Sequence, residues 1–411
     1  MAYTYFLARW VSRWSLFFLR VGAGIWVGLL SGTTLVFGAE WSLEPQFRSE
    51  GQYHDNLRLT TLPHRSVWAV KASPSVGMKY ATEIVNLKAT PKFEYVRYFS
   101  HDPIEKTFNN FFLPFSGSYH TEVDQLGLEA ALNRDNALIS ELQETGVVTS
   151  FIPRNYRTVR GTWDRALTER ITFQSSYQLT DVSYNKTRGA NLFDYQVHTG
   201  TLGAEYQLTE ETSFHTLAWY TNYHVPRNGF RSQAPGLELG FSHRLVETFS
   251  LSGSAGGRYV RTTLDQNGQR TVDRKLAWLV NVSLNKEWER AHLTAGYSRA
   301  LNPSGNGVLF VTDRAEVSGD YSLTHALKAT LRGTWTENNT VGSPSNVSRA
   351  VNSRYWQVSP VLSWRVTEYW STDVSYRYSQ RQFTSSSQGT AHSNAVFLSL
   401  TYTWPQWTIS R

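Results

Sequence analysis

Cysteine is absent from all 411 residues, and methionine occurs only twice. The missing thiols exclude disulfides, a cysteine nucleophile and cysteine-ligated metal sites. Beyond the N-terminus the chain also lacks any apolar run of the roughly twenty residues that a membrane-crossing helix needs, and its mean hydropathy is −0.39. No phosphate-binding glycine loop, dinucleotide fingerprint or helical zinc motif is present. No nucleotide, metal or redox cofactor is therefore expected, and no nucleic-acid partner.

What the chain has in quantity is aromatic residues, with 22 Tyr, 21 Phe and 15 Trp. Many rings at low mean hydropathy suit a β-barrel in which apolar side chains facing lipid alternate with polar ones facing a lumen. The first forty residues are of another kind. Arg9, Arg13 and Arg20 stand there without an acidic partner, and Val21 to Phe37 is apolar or small. That layout predicts a signal peptide over 1–39, followed by a single barrel domain over 40–411, since no linker or composition shift divides the rest.

Successive side chains of a strand point to opposite faces, so long strict alternation means that one face meets oil and the other water. Trp370, Thr372, Val374, Tyr376 and Tyr378 share one face of such a run, against Ser371, Asp373, Ser375, Arg377 and Arg381 on the other. Leu276, Trp278, Val280, Val282 and Leu284 repeat the pattern, as do Leu398, Leu400, Tyr402 and Trp404. Trp41, Leu43, Pro45 and Phe47 form one face of a candidate first strand. Such runs exceed the five or six residues usual in globular strands and approach the roughly nine to eleven of a tilted membrane strand. Connections alternate too. Short polar turns such as Thr168-Glu169, Thr209-Glu210 and Thr367-Glu368 recur between longer loops rich in Gly, Asn, Ser and Pro. Short periplasmic turns and long external loops are the outer-membrane arrangement. The expected fold is all-β: a transmembrane antiparallel up-and-down barrel of about eighteen strands with both ends in the periplasm.

The same phase turns Lys71, Lys79, Lys88, Lys92, Lys328, Arg332, Arg365, Arg377 and Arg381 toward the lumen, with fewer carboxylates, such as Glu94 and Asp373, on those strands. A basic lining concentrates anions. The competing expectation is that these charges pair across strands and stiffen the wall. Two His-Asp pairs, His54-Asp55 and His101-Asp102, sit at predicted external strand ends, where an activated water could be held. Adjacent strand residues face opposite ways, however, so solvated loop residues are the stronger expectation. His215 and His292 with nearby serines offer no spacing that defines a triad.

Tyr53-His54-Asp55-Asn56-Leu57-Arg58-Leu59-Thr60 resembles the Tyr-x-Asp-Asn opening of an outer-membrane β-barrel family associated with PEP-CTERM and exopolysaccharide systems. Arg134-Asp135 followed by Ser140-Glu141-Leu142 and Thr145-Gly146 is similar to its third external loop, and Leu167-Thr168-Glu169-Arg170 to its repeated turn. The resemblance implies a porin-like channel or export conduit in the cell outer membrane, without catalytic residues. Implied partners are outer-membrane lipid, the barrel-insertion machinery and exopolysaccharide export components. Tyr53, Asp55 and Asn56 match the opening motif, with ordering of the first loop as their expected role. The C-terminus departs from the usual terminal aromatic, because Trp404 is followed by Pro405 and runs on to Arg411, leaving Trp404 or Trp407 to serve. The function expected is passive passage or export of polar solutes, anions or exopolysaccharide among them. A structural or surface-interaction barrel without an open pore is the alternative, and an outer-membrane hydrolase the third.

Overall fold

The computed structural model describes residues 39–61, 64–99, 107–138, 140, 151–185, 192–227, 229–266, 269–341, 352–384 and 389–410. The expected signal peptide and the His101-Asp102 pair lie outside the described residues. So do Glu141, Leu142, Thr145 and Gly146 of the family-like third loop.

Twenty strand segments form one antiparallel sheet. They are β1 Glu40–His54, β2 Val67–Ala81, β3 Val85–Ala89, β4 Lys92–Phe99, β5 Thr107–His120, β6 Asp124–Asn136, β7 Pro153–Ala166, β8 Ile171–Tyr184, β9 Tyr195–Gln207 and β10 Thr212–Val225. The second half comprises β11 Phe230–Val246, β12 Phe249–Gln266, β13 Gln269–Glu287, β14 Ala291–Pro303, β15 Leu309–Ser322, β16 Leu327–Val341, β17 Ser353–Arg365, β18 Trp370–Phe383, β19 Thr390–Thr403 and β20 Trp407–Ser410. Segments β3 and β4 keep one register against both neighbours, so they are a single barrel strand interrupted at Thr90-Pro91, where proline cannot donate to the ladder. Segment β20 continues β19 after a one-residue slip at Trp404-Pro405-Gln406. The barrel therefore has eighteen strands. It closes where β1 pairs with β2 on one side and with β19 and β20 on the other. Closure matters because an open edge in hydrocarbon would leave each backbone group unpaired at several kcal/mol.

The two phases separate cleanly. Strand residues with large exposed apolar side chains, such as Trp68, Leu202, Leu239, Leu276, Leu398 and Ile409, share the outward phase of the ladder. An apolar belt that encircles the molecule is stable in hydrocarbon rather than in water. Rings such as Tyr259, Trp278, Trp335 and Trp356 lie toward one rim and Trp163, Trp364 and Trp370 toward the other. Those are the positions of interfacial girdles. At the short-turn rim, threonine hydroxyls close the connections: Thr168, Thr324 and Thr367 each accept from the backbone three residues on, at 3.0 Å.

One close approach fixes the sheet geometry. On Gly256, inward on β12, a Cβ would lie 2.3 Å from the Leu237 carbonyl oxygen and 2.8 Å from Glu238 Cα. Outward Gly51 has nothing within 4 Å of its would-be Cβ. Gly256→Ala is expected to destabilise the barrel by about 1–3 kcal/mol, as overpacking against backbone does, while Gly51→Ala stays within about 0.5 kcal/mol of the parent. Denaturant unfolding of the refolded protein in lipid vesicles measures both, and equal effects would contradict the close approach.

Candidate functional site

Described residues of three connections turn into the lumen. Between β1 and β2, Leu59 packs among Tyr355 of β17 and Ala391 of β19, 1% exposed, and the Arg381 guanidinium donates to its carbonyl oxygen. Leu59 holds φ at 51°, a left-handed conformation that disfavours a branched side chain. Between β6 and β7, Phe151 stacks on inward Phe108 at 5.3 Å and meets inward Tyr98 edge-on at 5.8 Å. Arg58 of the first loop covers the Phe151 ring, so two of the loops meet inside the barrel. Between β14 and β15, the Ser304 carbonyl accepts from the Tyr223 hydroxyl of β10 at 3.0 Å, and the Gly305 carbonyl accepts from the Phe193 amide at 2.7 Å. Tyr223 belongs to a strand four places along the wall from β14, and its side chain is buried, so that loop crosses the interior. The apolar cluster of Val182, Tyr195, Tyr223, Phe230 and Val260 is the floor it rests on.

Beside these loops lies a cavity of about 700 Å³ against the wall formed by β1, β2, β4–β6 and β16–β19. Its charged lining comprises Arg48, Lys71, Arg332 and Arg377 with Glu50, Glu94, Asp135 and Asp373. Every one of the four carboxylates is held. Glu50 meets Lys71 at 3.0 Å and Arg48 at 3.2 Å, Asp373 meets Arg48 at 3.2 Å, Glu94 meets Lys92 at 2.9 Å, and Asp135 receives a two-pronged bond from Arg154 at 3.0 and 2.9 Å. Among the described residues no carboxylate lies within 4 Å of Arg332 or Arg377. Arg377 stacks over Phe397 at 4.7 Å, and Ser359, Ser375 and Ser379 are its polar neighbours in the lining. The register that pairs Trp335 with Trp356 and Val358 with Tyr378 sets Arg332, Ser359 and Arg377 side by side on three adjacent strands.

The ladder sets all nine basic residues singled out by the alternation on the inward phase. Their surroundings differ. Lys71, Lys92 and Lys328 sit in ion pairs, the last with Asp320 at 2.9 Å. Arg365 donates to the His325 carbonyl oxygen at 2.7 Å, and Arg381 to that of Leu59. Lys79 and Lys88 stand directly opposite each other near the short-turn rim. These nine lie on one side of the barrel, and the far side mixes inward Glu205, Glu238 and Glu287 with inward Arg244 and Arg258. Alternation along β13 assigns Glu287 to the inward face, whereas on β10 inward Leu217 and Trp219 interrupt the polar phase.

The opening motif ties the first loop to the seam. Asp55 accepts from the Asn394 amide at 2.7 Å and from its side chain at 2.6 Å, and the Asp55 amide donates to the Asn394 carbonyl at 3.0 Å. Asn56 donates to the Thr60 and His392 carbonyls at 2.7 and 2.8 Å and accepts from the Thr60 amide at 3.1 Å. Tyr53 faces outward, its ring 4.8 Å from Trp68. His54 turns inward and meets Gln52 at 3.2 Å, so His54 and Asp55 do not form a working pair. His215 lies inward opposite Gly240, and its ring occupies the space a Cβ there would need. His292 lies 3.7 Å from Asp320. Among the described residues no group of three His, Asp or Glu side chains could hold a metal ion.

No protein-family model matches the chain, and no curated protein does. Among solved structures it is similar to Pseudomonas aeruginosa OccK2 (OpdF) in complex with glucuronate, at 13% identity over 89% of this chain and 98% of that one, TM-score 0.47. It is also similar to Acinetobacter baumannii OccAB4, at 11% identity over 92% and 100%, TM-score 0.45. The outer membrane protein opdK of P. aeruginosa gives 11% identity over 89% and 99%, TM-score 0.45. At such values the likenesses say nothing of substrate, and the closed eighteen-strand barrel stands on the chain's own ladder of hydrogen bonds.

Proposed function

We propose that the protein is a passive channel of the outer membrane for small polar solutes, with anions held in transit at Arg332 and Arg377. The carrying observation is the charge balance of the 700 Å³ cavity. Its four carboxylates are matched by Arg48, Lys71, Lys92 and Arg154, which leaves two guanidinium groups, on either side of β17, without a carboxylate within 4 Å among the described residues. Arginine presents a rigid donor fork suited to carboxylate and phosphate. Serine and Gln357 hydroxyl and amide groups around it suit the polar remainder of a small solute. The inward loops favour solutes of that size over a polymer such as exopolysaccharide.

Planar-bilayer recording of the refolded mature protein in a salt gradient tests this. The parent is expected to show steady open steps and a reversal potential of anion-preferring sign. Arg332→Glu/Arg377→Glu is expected to move the permeability ratio toward cations by about tenfold, the effect of reversing charges in a narrow, poorly screened lumen. A cation-preferring parent would remove the anion site from the proposal. A second reading draws on the three inward loops: a barrel closed by its own connections, with a structural or surface role. A protein that inserts and folds yet never opens would establish that reading in place of the channel.

A further inference from the structure

Three arginines crowd the outer wall, none of them directly opposite an acidic residue. Arg261 of β12 and Arg274 of β13 are direct cross-strand partners on the outward face, and Arg231 of β11 lies diagonally above them, opposite Thr263. All three are exposed. Directly opposed strand residues have Cβ atoms about 5 Å apart, and like charges there repel. Arg231 donates to the neutral Asn222 side chain at 3.2 Å, and the Arg274 backbone amide donates to Asp273 at 2.8 Å, but among the described residues no carboxylate lies within 4 Å of any of the three guanidinium groups. Asp265, the acidic residue on this face of β12, opposes Arg270 on a higher rung. Elsewhere on the same rim arginines are matched: Arg157 with Asp181, Arg299 with Asp313 and Arg354 with Glu337.

Directly below the trio the wall is hollowed. Ala255 and Gly257 of β12 leave a floor between Leu237 and Leu239 on one side and Leu276 on the other, a shallow apolar groove open to the surroundings. Leu276 is 77% exposed, the most exposed large apolar side chain among the described residues. Tyr259 and Trp278 mark the level of the interface just below the arginines. An acyl chain fits the groove, and a phosphate placed above it would receive guanidinium donors from adjacent strands and relieve their mutual repulsion.

We infer that this wall is a binding site for a phosphorylated glycolipid of the outer leaflet, its phosphate on Arg231, Arg261 and Arg274 and one acyl chain in the groove between β11 and β13. The inference rests on the reading of the long-loop rim as external. It does not depend on whether the pore conducts.

Native mass spectrometry of the detergent-solubilised barrel, titrated with bisphosphorylated lipid A, tests it. The parent is expected to retain one lipid, and Arg261→Gln/Arg274→Gln to bind it at least about tenfold more weakly, the loss of charge-assisted bonds. Dephosphorylated lipid A is expected to match the variant's weak binding, and inorganic phosphate at the same concentration to compete poorly. Removing opposed like charges does not threaten folding, which heat-modified gel migration checks. Should the double variant fail to fold, Arg274→Lys serves, keeping the charge while losing the fork, with a smaller loss expected. Equal lipid affinity in parent and variant would overturn the inference, and so would full displacement by inorganic phosphate. A barrel that conducts yet takes up no lipid sinks this inference alone, whereas a protein that takes up lipid and never conducts leaves it standing.

Discussion

Arginine in place of Leu398 is expected to lower the stability of the barrel by about 2–4 kcal/mol, the range for a cation at the midplane of a lipid-facing barrel wall. Leu398 lies near the middle of β19, between Gly51 of β1 and Val374 of β18, and points outward with 58% of its surface exposed. Its outward neighbours along the strand are Val396 and Leu400. No carboxylate shares that height on the outer wall of these three strands, so the guanidinium would have to reach an interface or draw water inward. The contrast with a water-soluble barrel is sharp: there, exchanging an exposed leucine for arginine is worth within about 0.5 kcal/mol either way. Equilibrium unfolding in phospholipid vesicles distinguishes the two. A neutral outcome would remove the membrane reading of the apolar belt and with it the channel.

Asn56→Ala is the second large effect, this time on conduction. The Asn56 side chain is 2% exposed and makes three hydrogen bonds that hold the first loop against β19 and around Thr60. Each contributes about 1 kcal/mol net, so the population with this loop seated inside is expected to fall by roughly two orders of magnitude relative to the unseated one. Leu59, already in a left-handed backbone conformation, would leave the pocket of Tyr355 and Ala391. Single-channel records of the variant are expected to show larger and noisier open steps than the parent. Quiet steps of parental size would mean that this loop does not limit the pore.

Much of the fold is legible in the sequence because a barrel wall repeats one rule. Alternation over Trp370–Tyr378 and Leu276–Leu284 assigns strand phase residue by residue, and the short turns at Thr168, Thr209 and Thr367 count the strands. The path of the loops is not legible, because Leu59, Phe151 and Ser304 carry no periodic signal and are placed by distant partners, as Tyr223 places Ser304. The chain end is a case of its own. Alternation stops at Trp404-Pro405, yet after a one-residue slip Trp407 and Ile409 resume the outward phase beside Leu43 and Trp41. Of the candidate site, the basic phase was readable, whereas which cations are matched was not. Glu50 and Arg48 share one strand, but their partners Lys71 and Asp373 come from opposite ends of the chain.

The seam between β1 and β19 has a consequence for how the protein is made. His54 meets Ala395 and Leu43 meets Trp407, so the first strand finds its second neighbour only after almost the whole chain has been synthesised and delivered. Until then its Trp41, Leu43 and Phe47 side chains and one row of backbone donors and acceptors stand open, the condition in which strands aggregate. Joining ends so far apart adds little entropy cost beyond that of shorter closures, since the penalty grows only with the logarithm of length. The hazard is one of time rather than of free energy, and it puts the last strand in command: truncation before β19 leaves every other hairpin intact and still yields no barrel.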